Sequence, residues 1–228
     1  MVITITNEEV RDIIREILNG RNHRSILTKK INRIFLDTCN EFLHGVASSK
    51  SRNPDNDNWY QDVMMRDDLP NEDIALNAGI NVKTISNTMG SEARDVVIEA
   101  SIAHYDWVTE FINNIEDPGL TFSIPFDENI VNFTTEESLK IINSLSARRG
   151  TIARGVNSAV GKNVEKPLLS TICRLLQVDS GFWNQESPLI PVQTRREVDY
   201  YIMNQDGAHK CEVKLNGKTN PESPDVIM

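Results

Sequence analysis

A chain of 228 residues, 39% hydrophobic and 25% charged, has the composition of one large or two small globular domains and excludes a disordered or fibrous protein. Its formal net charge of −9 excludes a protein that coats polyanions with its whole surface, although a local basic patch is enough to bind nucleic acid. No apolar run approaches the roughly 20 residues of a membrane span, and three cysteines without metal-type spacing (Cys39, Cys173, Cys211) predict reduced thiols in the cytoplasm.

The first half reads as helices. Asn7-Glu8-Glu9 supplies a cap and first-turn acids, Val10, Ile13, Ile14 and Ile17-Leu18 form an apolar stripe, and Gly20 ends the element. A longer helix carries Leu27, Ile31, Ile34-Phe35, Phe42 and Val46, and the Ser-, Asn-, Asp- and Pro-rich stretch 48–58 predicts an exposed loop. In Asp73 to Gly90, Ala78-Gly79 followed by Thr84-Ile85 has the pattern of a helix-turn-helix, in which glycine lets two short helices cross sharply. That reading puts Asn81, Lys83, Thr84 and Asn87 in a DNA groove; a helical hairpin in the core is the alternative. A further helix is expected from about Ser91 to Ile115, burying Val96, Val97, Ala100, Tyr105, Val108 and Ile112.

Pro118-Gly119 and Pro125 interrupt the helical pattern and predict a connector with one short strand at 120–124. Thr134-Thr135 with Glu136-Glu137 then caps a helix with Leu139, Ile142 and Leu145 on its apolar face. From Arg148 to Arg174 six basic residues (Arg148, Arg149, Arg154, Lys162, Lys166, Arg174) stand against one acid, Glu165. Such an excess within an acidic chain predicts a phosphate-facing surface, and Gly150, Gly155 and Gly161 would let backbone approach a phosphate. Val164, Leu168-Leu169, Ile172 and Leu175-Leu176 predict the apolar face of a helix in this segment.

The stretch from Arg195 to Asn220 carries the chemistry. Two strands, Val198 to Met203 and Lys210 to Leu215, flank a turn at Asn204 to Gly207. Asp199 shares a face with Tyr201 and Met203, and Glu212 shares one with Lys214. Paired as a hairpin, the strands can bring the Asp199 and Glu212 carboxylates together as hard oxygen ligands suited to Mg²⁺, with Lys214 in reach of the attacking water or the transition-state charge. Scattered histidines and the absence of a Walker or dinucleotide fingerprint give other catalytic classes no support.

An acid, a gap of 12 residues and then Glu-x-Lys resembles the PD-(D/E)xK nuclease motif. The run from Glu212 to Asp225, and more generally Ser146 to Leu176, is similar to type II restriction endonucleases of the CfrBI-like group. The helical pattern predicts a mainly helical domain over 1–133, and the resemblance implies a PD-(D/E)xK catalytic domain over 134–228, a mixed sheet flanked by helices, so that the fold is expected to be α+β or α/β. It implies a prokaryotic, Mg²⁺-dependent enzyme of a restriction-modification system that cuts double-stranded DNA at a short site as a homodimer. Asp199, Glu212 and Lys214 would be catalytic, with metal held by Asp199, Glu212 and Glu165. Arg148, Arg149, Arg154, Lys162, Arg195, Arg196, Lys218 and Asn220 are of types suited to contact DNA. Such a core normally continues past the lysine strand, so it is expected to be incomplete here, or completed by a C-terminal segment or a second chain. A non-catalytic helix-turn-helix regulator is the rival reading.

Overall fold

The computed structural model describes residues 3–183, 200–204 and 207–211. Among them the protein is mostly helical, with two antiparallel hairpins, an α+β arrangement. The helices are α1 (Asn7–Leu18), α2 (Arg24–Arg52), α3 (Asn71–Ala78), α4 (Val82–Met89), α5 (Arg94–Asn114) and α6 (Thr135–Leu175). One hairpin pairs β1 (Ser123–Phe126) with β2 (Asn129–Asn132), the other β3 (Tyr200–Asn204) with β4 (Gly207–Cys211). The chain divides into two compact units, Lys29–Arg154 and the remainder, and the division falls inside α2 and inside α6.

In the 29–154 unit the core gathers Phe42, Val46 and Ala47 of α2, Trp59 and Tyr60 of a π-helical turn and its flank, Tyr105 of α5, Val131 and Phe133, and Ile141 of α6. α2 runs on through Ser48–Arg52, part of the stretch expected to be a loop, and there Lys50 pairs with the half-buried Glu137. The expected single strand is a hairpin instead. Asp127 takes a positive φ of 51° and turns the chain without a glycine, so the usual marker of a tight turn is missing from the sequence.

α6 corrects two expectations. It is one helix of 41 residues, so Gly150, Gly155 and Gly161 lie within helix and build no phosphate-cradling loop. Gly155 serves packing: a Cβ there would stand 2.7 Å from Cδ1 of Ile3. The buried line through its first half is Ser138, Ile141, Ser144, Arg148 and Ile152, while Ile142 is 38% exposed. The apolar stripe drawn through Ile142 is therefore out of phase. The charged and hydroxyl residues on the true line hid it.

Thr134 caps α6, accepting from the Glu137 amide at 3.2 Å while the Glu137 carboxylate accepts from the Thr134 amide at 2.7 Å. The same carboxylate accepts from Trp59 Nε1 at 2.5 Å and pairs with Lys50. Burial alone would raise the Glu137 pKa, but the bonds from Lys50, Trp59 and Thr134 outweigh it and hold the carboxyl below its ordinary value of 4.5. The fold thus binds the charged form. Its stabilisation is complete above pH 4.5 and is lost as pH falls through the lower folded-state value. Thermal unfolding followed between about pH 3 and pH 6 is expected to show a steep low-pH fall in Tm that Glu137→Gln flattens. Parallel curves for the two proteins would refute this.

In the other unit, Ile5 and Ile13 are buried, and Val156, Val160, Val164 and Leu168 make a buried row at intervals of four along α6. Leu169 and Cys173 continue it against Trp183, but Leu175 and Leu176, expected on this face, are 67% and 71% exposed. They lie at the last turn of α6, which closes just after them: Leu176 donates to the Ile172 carbonyl, Val178 to the Cys173 carbonyl, and Gln177 takes a φ of 55°.

Candidate nucleic-acid interface and catalytic hairpin

Asp73 to Gly90 folds as two short helices, α3 and α4, joined across Gly79. Gly79 stands at φ 87° and ψ 16°, the left-handed conformation that turns the chain sharply. A Cβ there would fall 1.8 Å from Nδ2 of Asn143, so any other residue would strain the backbone and also displace the Asn143 side chain. Asn81 then caps α4, its side chain accepting from the Thr84 amide at 3.0 Å, and Gly90 ends it at φ 71°. Ala75, Ile85, Val97 and Ala100 form a small core that holds α3, α4 and α5 as a three-helix group. Gly79→Ala is expected to destabilise the protein by about 2–3 kcal/mol in urea unfolding, through strain and overlap. Adding Asn143→Ala relieves the overlap and leaves about 1 kcal/mol of left-handed strain. A double variant no more stable than the single one would show that overlap contributes nothing.

A buried polar cluster fixes the end of α3. The Asn77 carbonyl accepts from Tyr60 Oη at 3.1 Å and from Ser144 Oγ at 2.8 Å, and those two hydroxyls are 2.8 Å apart. The Asn77 side chain donates to the Met64 carbonyl and accepts from Arg148 Nη2. Burial pushes the Tyr60 hydroxyl up to about 12. None of these roles was read from the sequence; the clue was the spacing of three and four that sets Ser144 and Arg148 in line with Ile141 and Ile152.

Arg148, expected at the DNA, is a correction. It is 8% exposed, its guanidinium lies 4.2 Å from the centre of the Phe42 ring, and its Nε finds no acceptor among the described residues. Desolvation lowers its pKa, against the pull of Tyr60, Asp73, Glu72 and Cys39. The other basic residues of the segment are exposed. Arg149 lies 5.7 Å from the Phe35 ring centre and 3.4 Å from Oδ1 of Asn32; Arg174 stacks on Trp183. Arg154, Lys162 and Lys166 project to solvent, the two lysines one helical turn apart.

Glu165 is half-buried on α6, beside Gly161, where its Oε1 would meet a Cβ at 3.3 Å. It belongs to the same compact unit as the β3–β4 hairpin. Two residues later Pro167 removes one helical amide, so α6 is weakened at this point. The hairpin pairs Tyr200 with Cys211, Tyr201 with Lys210, Ile202 with His209, Met203 with Ala208 and Asn204 with Gly207. Its strands meet at the Asn204–Gly207 pair, the two ends of the expected turn, and β3 packs on the 3-10 turn Ser180–Phe182. Asp199, Glu212, Lys214, Arg195, Arg196, Lys218 and Asn220 lie outside the described residues. Among the described residues no group of three or more His, Cys, Asp or Glu could hold a metal ion, and no helix is long and apolar enough to cross a membrane.

No curated protein and no solved structure matches this chain. One family model does, that of the CfrBI restriction endonuclease, over residues 7–228 and therefore across both compact units. The α3–α5 group and a β-hairpin flanked by the acid and Glu-x-Lys positions thus lie within one family's bounds, and the chain belongs to the CfrBI restriction endonuclease family.

Proposed function

We propose that the protein is a type II restriction endonuclease that hydrolyses phosphodiester bonds of double-stranded DNA with Mg²⁺, using a PD-(D/E)xK site made by Asp199, Glu212 and Lys214. The observation that carries it is the register of the β3–β4 hairpin. Tyr200 pairs with Cys211, and continuing that pairing by one residue would set Asp199 opposite Glu212. Directly opposed residues of an antiparallel pair point to the same face with Cβ atoms about 5 Å apart. A slip of a single residue would put the two carboxylates on opposite faces, so the register supports the motif in a way that sequence spacing could not.

Two carboxylates at that separation are a donor set fitted to Mg²⁺, with Glu165 a further acid of the same unit. When bound, Mg²⁺ would supply positive charge at the scissile phosphate. The chain's own residues do the rest. If the pairing continues, Asp199 and Glu212 would present oxygens on one face, and Lys214, two residues further along a strand, would share that face, where its ammonium could orient the attacking water and offset charge on the phosphate in the transition state. Arg154, Lys162 and Lys166 are exposed cations suited to phosphates away from the scissile bond. A homodimer would match two active sites to the two strands of a symmetric site.

Membership of an endonuclease family weighs against a non-catalytic regulator, and the helix-turn-helix then belongs to an enzyme. The test is direct: purified protein incubated with plasmid DNA and Mg²⁺ is expected to give discrete fragments, and none with EDTA. Intact plasmid under both conditions would refute the proposal, and cutting that persists in EDTA would refute its metal dependence.

A further inference from the structure

We infer that α4 is the sequence-reading element of this enzyme, with Asn87 reading base edges in the DNA major groove and Lys83 contacting phosphate beside it. The inference rests on the endonuclease reading for its ligand, double-stranded DNA, and adds the surface that selects the sequence.

α4 buries little. Ile85 alone is fully covered, with Val82 and Ser86 half-covered, while Lys83, Thr84, Asn87 and Thr88 are exposed. Positions 83, 84, 87 and 88 recur at helical spacing and so make one continuous face. That face carries a cation, an amide and two hydroxyls and no carboxylate, in a chain whose net charge is −9. Its chemistry is therefore opposite to that of most of the molecule and complementary to a polyanion. Among the described residues Lys83 makes no ion pair and the Asn87 amide no hydrogen bond. A free side-chain amide offers one donor and one acceptor side by side, the pattern that matches N7 and N6 of adenine.

The scaffold behind this face is built to hold it still. Gly79 and Asn81 fix the turn into α4, and the Tyr60, Ser144 and Arg148 side chains clamp Asn77 at the end of α3. At the start of α5, Arg94 donates to the Asp67 and Leu69 carbonyls and, at 2.8 Å, to Oδ1 of Asn71, tying α5 to the segment that leads into α3. A second helix of eight residues is about 12 Å long, comparable with the width of the groove. An exposed polar face on a rigid short helix, set across a sharp turn from its partner, is how a helix-turn-helix presents side chains to bases.

The test is selection from a pool of duplexes with a randomised centre, in EDTA so that binding is read without cutting. Wild-type protein is expected to enrich one motif. Asn87→Ala is expected to lose preference at one or two positions of that motif, a roughly tenfold to hundredfold fall in discrimination there, with affinity for the unselected pool little changed. Lys83→Ala is expected to weaken binding to all sequences alike and to lower the salt dependence by about one phosphate contact. Both positions are exposed, so Tm serves as the check that the fold is intact. An unchanged motif with Asn87→Ala overturns the inference, as does a wild-type protein that enriches nothing. A motif enriched by a protein that never cuts plasmid in Mg²⁺ would sink the nuclease reading and leave α4 as the reader.

Discussion

Lys214→Ala is expected to slow plasmid cleavage at least about 10²–10³-fold while leaving DNA binding within a few-fold of wild type. The magnitude is that of removing one preorganised charge from a site where negative charge develops in the transition state. The separation of the two effects matters as much as the size. Lys214 faces the reacting phosphate in the proposed site, whereas binding draws on many phosphate and base contacts made elsewhere, so the loss belongs in the rate and not in affinity. Asp199→Asn and Glu212→Gln keep shape and remove charge. Each is expected to abolish Mg²⁺-dependent cutting to a similar degree, and the double variant is expected to lose little more than either single one, because residues that act as a unit are strongly non-additive. Single-turnover cleavage beside gel-shift binding in EDTA makes the comparison. A Lys214→Ala protein that cuts at the wild-type rate would remove the lysine from the mechanism, and losses that multiply in the carboxylate double variant would show that Asp199 and Glu212 do not share one site.

The parts of this protein that could be read from sequence are those where local chemistry and burial agree. The α1 and α5 stripes, the Thr134 cap and the crossing at Gly79 announce themselves through apolar spacing, Thr-x-x-Glu and a glycine where only positive φ fits. The pairing of β3 with β4 as a hairpin was legible for the same reason. What could not be read are the places where tertiary structure overrides residue type. Arg148 is a cation in a basic cluster, so sequence sends it to the surface; the fold buries it because Asn77 and Phe42, 71 and 106 positions away, receive it. Glycines spaced along a basic run suggest a loop, yet with no strand signal around them they lie inside a 41-residue helix, one of them making room for Ile3. Of the candidate site, spacing gave the acids and the lysine, but only the pairing of Tyr200 with Cys211 supplies a reason for Asp199 and Glu212 to meet.

The buried Arg148 leads to the largest stability effect expected here. Asn77→Leu removes the acceptor of Nη2 and the donor to the Met64 carbonyl in one step, leaving a guanidinium with its Nε already unpartnered. An uncompensated buried charge costs several kcal/mol, so a loss of about 3–5 kcal/mol in urea unfolding is expected, a large fraction of the stability of an ordinary domain. Removing both partners is a different matter. Arg148→Met keeps much of the volume against Phe42 and takes away the charge that needed Asn77, so the double variant is expected to recover about half or more of the loss, the remainder being the orphaned Met64 carbonyl. If the double variant is as unstable as Asn77→Leu alone, Arg148 is not what Asn77 satisfies and the stability resides in the Met64 bond. The recovered protein also shows why a charge is kept in this core. Asn77 is the residue before Gly79 but one, and Arg148 restrains its side chain while Tyr60 and Ser144 hold its carbonyl; an apolar pair would fill the space without fixing the direction in which α4 leaves the turn. Stability regained with a blurred sequence motif in the duplex selection would assign Arg148 to positioning α4, and stability regained with the wild-type motif would assign it to the core alone.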